Sequence, residues 1–197
     1  MMETGLFFGS FNPIHIGHMA IANYIAEYSS LKEIWFVVSP HNPLKTKETL
    51  LGDRDRLHMA ELAIGDDPRF RVSDVEFTLR QPSYTIDTMA YLTEKYPSRG
   101  FTLIMGEDNL KTLHKWKNVE ELVKRYPIVM YPRLKPGRSS SKRLIEILRM
   151  ASVKEISAPV MEISGTFIRS AIRQGKDISW FVPAPAWKYI REMHFYE

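Results

Sequence analysis

Apolar runs of strand length alternate along this chain with segments in which apolar residues recur every three or four positions. Thr4 to Phe8 is the first run, followed by a helical pattern from about Gly17 to Tyr28. Glu33 to Ser39 is apolar at every central position, as expected of a strand covered on both faces in a parallel sheet, and Pro40 to Pro43 ends it. Asp53 can cap a helix to about Ile64 whose Leu57, Ala60 and Ile64 share a face. Arg69 to Ser73 and Val75 to Leu79 read as extended. Ser83 can cap a further helix lined by Ile86, Met89, Ala90 and Thr93, with Pro97 just beyond its end.

Phe101 to Met105 and Ile128 to Tyr131 are two more buried strands, separated by helical segments containing Leu110, Leu113, Val119 and Leu122. A helix near Lys142 to Met150, a short strand near Lys154 to Ser157, a stripe of Phe167, Ile168, Ala171 and Ile172 closed by Gly175, and a last helix near Pro185 to Met193 complete the pattern. Pro132 to Ser141 has the composition of a surface loop and is the best candidate for mobility. Repeated βα units with right-handed crossovers predict an α/β fold, a doubly wound and mainly parallel sheet with a small C-terminal helical region, in one domain over 1–197.

Composition narrows the class. With 44% hydrophobic and 25% charged residues the 197-residue chain has the make-up of a folded globular protein. Cysteine is absent, which removes disulfides, cysteine zinc sites and thiol nucleophiles, and favours a reducing cytoplasm. Met1 to Phe8 has no signal-peptide pattern and no apolar run is long enough for a membrane span. The net charge of +4 suits an anionic partner, yet Lys and Arg are scattered rather than blocked, so a small nucleotide explains it as well as a nucleic acid does.

In doubly wound sheets ligands bind beyond the carboxyl ends of the strands, and the unusual residues of this chain fall there. After the first strand comes Gly9 to His18 (GSFNPIHIGH), a turn with small residues leading into a helix whose start carries His15 and His18. Backbone N–H groups and imidazole donors would converge there on an anion, and Gly17 would let it approach the backbone. Gly-x-Gly-x-x-Gly and Gly-x-x-x-x-Gly-Lys-Ser/Thr are both absent, which counts against dinucleotide oxidoreductases and P-loop hydrolases. A lone histidine is more often packed or exposed than functional, whereas two in this setting are not. A zinc site at His15 and His18 lacks further ligands at suitable spacing.

Gly9 to His18 resembles the signature of the nucleotidyltransferase superfamily that includes the class I aminoacyl-tRNA synthetases. Ser39 to Lys45 (SPHNPLK), Ser83 to Asp87 (SYTID) and Ile163 to Arg169 (ISGTFIR) resemble, in order, motifs of the bacterial nicotinate-nucleotide adenylyltransferases, and the likeness spans almost the whole chain. The resemblance implies a Rossmann-like nucleotidyltransferase fold. It also implies attack by the phosphate of nicotinate mononucleotide on the α-phosphorus of ATP, giving deamido-NAD and pyrophosphate, with Mg²⁺ assisting and no covalent enzyme intermediate.

By the same resemblance His15 and His18 are catalytic, stabilising phosphoryl charge best when protonated. Gly9, Ser10, Phe11, Lys45, Ser164, Thr166 and Arg169 would bind ATP. Ser83, Tyr84 and Thr85 would take the nicotinate carboxylate on free N–H groups, Trp116 would stack on the pyridine, and Gly106 and Asp108 would line the nucleotide site. Three departures stand out. SPHNPLK is looser than the family's usual Pro-Pro-His-Lys, leaving the phosphate role open between His41 and Lys45; Gly165 replaces a second serine; and Glu107 stands where a small residue is usual. The alternatives are the same chemistry on nicotinamide mononucleotide or phosphopantetheine, and a non-catalytic nucleotide- or nucleic-acid-binding module. The expected partners are small molecules, with no nucleic acid and no membrane; the oligomeric state is not legible.

Overall fold

A computed structural model describes residues 2–40, 50–133 and 141–197. In chain order its elements are β1 (Met2–Gly9), α1 (Ile16–Tyr28), β2 (Glu33–Val38), α2 (Asp53–Ile64), β3 (Phe70–Ser73), α3 (Val75–Thr78) and α4 (Thr85–Lys95). They continue with β4 (Arg99–Gly106), α5 (Glu107–Thr112), α6 (Val119–Arg125), β5 (Ile128–Tyr131), α7 (Lys142–Met150), β6 (Val153–Glu155), α8 (Gly165–Arg173) and α9 (Ala184–Glu192). The six strands form one sheet in the order β3-β2-β1-β4-β5-β6, and every pair is parallel. Winding therefore proceeds outward from β1 in one direction and then reverses to β4, which puts the switch point between β1 and β4.

Alternation along each strand divides the core in two. Phe7, Ile34, Phe36, Val38, Ile104 and Val129 face α1, α2, α8 and α9. Leu6, Trp35, Val37, Leu103, Met105 and Ile128 face α4, α6 and α7. Gly5 lets β1 sit inside the first layer, because a Cβ there would lie 2.6 Å from Ile104 Cδ1 and 2.9 Å from Ile34 Cδ1. Since crossover helices run antiparallel to the strands, the N-termini of α1, α4 and α8 all lie at the carboxyl edge of the sheet.

The structure departs from the sequence reading in a few places, each with a local cause. Val75 to Leu79 is not extended but begins with the single helical turn α3, because Phe77 N–H bonds to Asp74 O and Glu76 must point inward. Asp53 opens α2 rather than capping it; Gly52 is the cap and the Asp53 carboxylate is engaged with Arg56. Tyr84, not Ser83, is the N-cap residue of α4. Phe167 leaves the apolar stripe of α8 and is 45% exposed. Lys154 to Ser157 contributes to a strand that begins one residue earlier and ends at Glu155. The Pro132 to Ser141 loop falls largely outside the described residues, as do Lys45 and His41.

Gly175 ends α8 as its position implied. It has φ +66, its N–H bonds to Ile172 O at 2.8 Å, and Lys176 N–H returns to Ala171 O at 3.0 Å. A Cβ at Gly175 would meet nothing within 4 Å, so only the backbone opposes a side chain there. Gly175→Ala is expected to destabilise the protein by roughly 1 kcal/mol, the cost of the left-handed conformation, read as a lower urea midpoint with an unchanged slope.

Candidate active site at the β1–β4 switch point

Beyond β1 the chain turns sharply through Phe11, which has φ +43 and is 1% exposed. So bulky a residue holds that conformation because its ring is packed edge-on against Phe7, Phe36 and His18. Gly9 makes the turn possible, since a Cβ there would strike the Phe11 ring at 2.8 Å. The turn delivers His15 to the N-cap of α1. The two imidazoles stack with centroids 3.6 Å apart, and His18 Nδ1 accepts the His15 backbone N–H at 3.2 Å. That bond fixes the His18 tautomer, leaving the hydrogen on Nε2 as the outward donor. Gly17 lies close beneath the stack: a Cβ would lie 3.1 Å from His15 Nδ1 and 3.5 Å from Ile163 Cβ.

His15 itself is 4% exposed and its Nδ1 has no partner. Burial lowers its pKa to about 3, and the charge of Arg133 pushes in the same direction. In the free protein His15 is therefore neutral at physiological pH. Arg133, two residues past β5, was not singled out from the sequence. Its Nε is 3.8 Å from Asp108 Oδ1 and its guanidinium lies over the Tyr131 ring, so the ends of β4 and β5 converge on the histidines. Gly106 closes that corner, because a Cβ there would lie 2.5 Å from Asp108 Oδ1 and 3.1 Å from the Tyr131 ring.

The third wall is the start of α8. Ser164 is its N-cap and accepts from Phe167 N–H at 3.2 Å. Arg169 donates from Nη1 to Asn12 O at 2.7 Å and from Nη2 to Thr166 Oγ1 at 3.3 Å, while its Nε is unpartnered. Gly165 now has a physical reason: a Cβ would stand 2.7 Å from Asn12 O, so the serine usual there would push α8 off the β1–α1 turn.

On the other face of the sheet, α4 opens toward the same edge. Ser83 N–H donates to Gln81 Oε1 at 3.3 Å, and Asp87 and Thr88 N–H return to Tyr84 O. Among the described residues nothing accepts the N–H groups of Tyr84, Thr85 or Ile86, which leaves a donor cluster at the positive end of the helix. Trp116 is half-buried beside it. Its neighbour Lys117, another residue the sequence reading missed, sits 4.5 Å above the Tyr84 ring and donates to Asp87 Oδ2 at 2.9 Å. Below the helix mouth lies Glu76, 3% exposed, which takes a hydrogen bond from Thr88 Oγ1 at 2.8 Å; burial raises its pKa, opposed by the hydroxyls of Ser39, Thr88 and Ser83.

Arg56 joins these parts and gave no sequence signal. It is 0% exposed, and all five of its N–H donors have acceptors: Ser10 O at 2.6 Å, Ser39 O at 2.8 Å, Pro40 O at 3.1 Å, Leu51 O at 3.0 Å and Asp53 Oδ1 at 2.6 Å. Structure thus brings Gly9, Ser10, Phe11, His15, His18, Ser164, Thr166 and Arg169 to one wall of the edge, and Ser83, Tyr84, Thr85, Gly106, Asp108 and Trp116 to the other elements bordering it. Lys45 lies outside the described residues.

An all-parallel sheet with a histidine-bearing helix N-terminus at its switch point, ringed by cationic and N–H donors, is the arrangement of the nucleotidyltransferase class. Residues 6–171 match the cytidylyltransferase-like family. The Flavobacterium johnsoniae protein named probable nicotinate-nucleotide adenylyltransferase is 50% identical over 196 residues, covering all of both chains. The Bacteroides thetaiotaomicron protein of the same name is 46% identical, over 97% of this chain and 92% of its own. The solved Plasmodium falciparum nicotinic acid mononucleotide adenylyltransferase, complexed with NaAD, superposes with a TM-score of 0.77 at 18% identity over 100% and 98% of the two chains, a likeness of fold. The chain belongs to the nicotinate-nucleotide adenylyltransferase family.

Two outcomes test this geometry. A lysine supplies three donors where Arg56 uses five, so Arg56→Lys is expected to cost about 3 kcal/mol of stability, measured by urea unfolding. For His15 the unfolded chain binds a proton near pH 6.5 that the folded protein resists until about pH 3, so stability is complete above pH 6.5 and declines as pH falls. At pH 5 the loss through this residue is expected to be about 2 kcal/mol, and His15→Gln should shrink the stability difference between pH 7.5 and pH 5 by that amount.

Proposed function

We propose that this chain transfers AMP from ATP to the phosphate of nicotinate mononucleotide, forming deamido-NAD and pyrophosphate. The observation that carries the reading is the stacked His15–His18 pair at the N-terminus of α1, set at the switch point between the start of α8 and the mouth of α4. An acceptor phosphate oxygen attacks the α-phosphorus, the bond to the β,γ-bridged pyrophosphate breaks, and no protein atom forms a covalent bond. The protein's part is alignment and charge neutralisation.

In this reading the triphosphate lies across the N-terminus of α1 and the start of α8. His18 Nε2–H and the ring of His15 meet the α- and β-phosphoryl oxygens, and Ser164, Thr166 and Arg169 hold the outer phosphates, with Gly9, Ser10 and Phe11 shaping the floor. Lys45 completes the phosphate contacts from the loop after β2. A bound polyanion favours the charged imidazole, so protonation of His15 belongs to the complex rather than to the free protein.

Tyr84, Thr85 and Ile86 N–H receive the nicotinate carboxylate, Trp116 stacks on the pyridine, and Asp108 serves a ribose hydroxyl next to Gly106. The groups at the phosphate wall are donors and cations, and in this reading Mg²⁺ arrives with ATP as its complex. No helix among the described residues is long and apolar enough to cross a membrane. In this reading the enzyme is cytoplasmic and its partners are the small molecules ATP and nicotinate mononucleotide.

Purified protein given Mg²⁺, ATP and either nicotinate mononucleotide or its amide should release pyrophosphate with the acid and form the dinucleotide. Equal rates with the amide would remove the carboxylate site; no product with either would favour a different acceptor or a binding module. His18→Ala is expected to lower kcat by about 10² to 10³ with little loss of fold, and an unchanged kcat would remove its assigned role.

A further inference from the structure

Asn12 is the point where three separate parts of the chain meet the β1–α1 turn. Its side-chain Oδ1 accepts the Tyr196 hydroxyl at 2.7 Å and the Leu51 N–H at 3.4 Å. Its backbone oxygen accepts from Arg169 Nη1 at 2.7 Å and is the atom against which Gly165 is fitted. The Tyr196 contact spans 184 residues of sequence, and Tyr196 takes up φ +69 to make it. Its ring packs on Phe195, which packs on Tyr189 of α9, and Tyr189 in turn donates to Asp55 of α2. The segment after α9 is therefore folded back so that one phenol reaches the turn that aims His15.

We infer that Tyr196 is a positioning residue for the triphosphate wall: its hydroxyl fixes Asn12, and Asn12 sets the separation between the β1–α1 turn and the start of α8. The geometry is selective. Asn12, Gly165 and Arg169 lie on the face of the sheet that carries α1, α8 and α9, whereas the α4 mouth and Trp116 belong to the opposite face. Loosening Asn12 disturbs the donor spacing seen by phosphates and leaves the acceptor's carboxylate site alone. Burial raises the pKa of the Tyr196 phenol despite the nearby charges of Arg169 and Arg56, so it stays a donor at ordinary pH.

The inference rests on the proposed ATP site, and its test reads binding as well as turnover. Tyr196→Phe removes one oxygen and keeps the ring. Calorimetric titration of the full chain with MgATP and, separately, with nicotinate mononucleotide is expected to show ATP binding weakened about fivefold to tenfold and acceptor binding changed by less than twofold. Asn12→Ala should weaken ATP similarly, and the double variant should bind no worse than Asn12→Ala alone. Equal weakening of both ligands, or additive losses in the double variant, would assign Tyr196 to general stability and overturn the inference, as would unaltered ATP binding. Wild-type protein that binds ATP without transferring AMP would sink the catalytic reading while leaving this comparison intact.

Discussion

A guanidinium with no exposed surface holds the carboxyl edge of this sheet together. Taking Arg56 out of water carries a desolvation cost of several kcal/mol, and it is tolerable only because five oxygens converge on its five donors. Four of those oxygens are backbone carbonyls from the ends of β1 and β2 and from the start of α2. Carbonyls there have no helix or strand partner, since the strands have ended and the helices have not begun. Arg56 thus supplies the hydrogen bonds that irregular backbone at a ligand site lacks. It also ties Ser10, at the phosphate floor, to Ser39, whose hydroxyl faces Glu76 under the α4 mouth. The two halves of the site share one anchor.

Around that anchor the proposed phosphate wall is lined with cationic and polar groups. His15 is buried and neutral, its Nδ1 without a hydrogen-bond partner; Arg169 Nε has none either, and Arg133 Nε meets Asp108 Oδ1 as an ion pair at 3.8 Å. Unpaired buried donors are costly. Two such guanidinium donors and one imidazole nitrogen lie around this strand edge, and in the proposed reading phosphate oxygens would engage the donors among them. Preorganised donors need no rearrangement as negative charge shifts from the α-phosphoryl to the leaving pyrophosphate, which is the condition under which they accelerate transfer most.

The parallel, doubly wound class of the sheet and the position of the histidine turn were legible because they rest on periodicity and on local turn chemistry. β5 and α7 coincide with the apolar runs that announced them, and Gly175 was readable as a helix stop because only glycine enters the left-handed region cheaply. Arg56, Arg133 and Lys117 were not legible, being three among 27 basic residues whose roles depend on contacts across 16 to 46 positions of sequence. Glu76 hid for a related reason. Its segment reads as extended from the sequence, whereas the structure sets it in a helical turn with its carboxylate on Thr88, a contact twelve positions away. Gly165 looked like a defect in a motif until Asn12 O was seen to occupy the space a side chain would need.

Discrimination at the proposed acceptor site follows from direction rather than from net charge. Lys117 is already paired with Asp87, and Glu76 lies below the helix mouth, so the excess positive charge near α4 is small. What remains are the N–H groups of Tyr84, Thr85 and Ile86, all donors. A carboxylate offers two acceptor oxygens to such a cluster. An amide offers one, and turns its own NH₂ toward a second donor, leaving both groups unpaired in a partly buried place. Unmet donors of that kind cost more than the loss of a surface charge, and they are how a polar site rejects a near-isostere. At the same helix mouth the Ser83 N–H meets Gln81 and its hydroxyl faces Glu76, which ties the start of the donor run to the buried carboxylate beneath it.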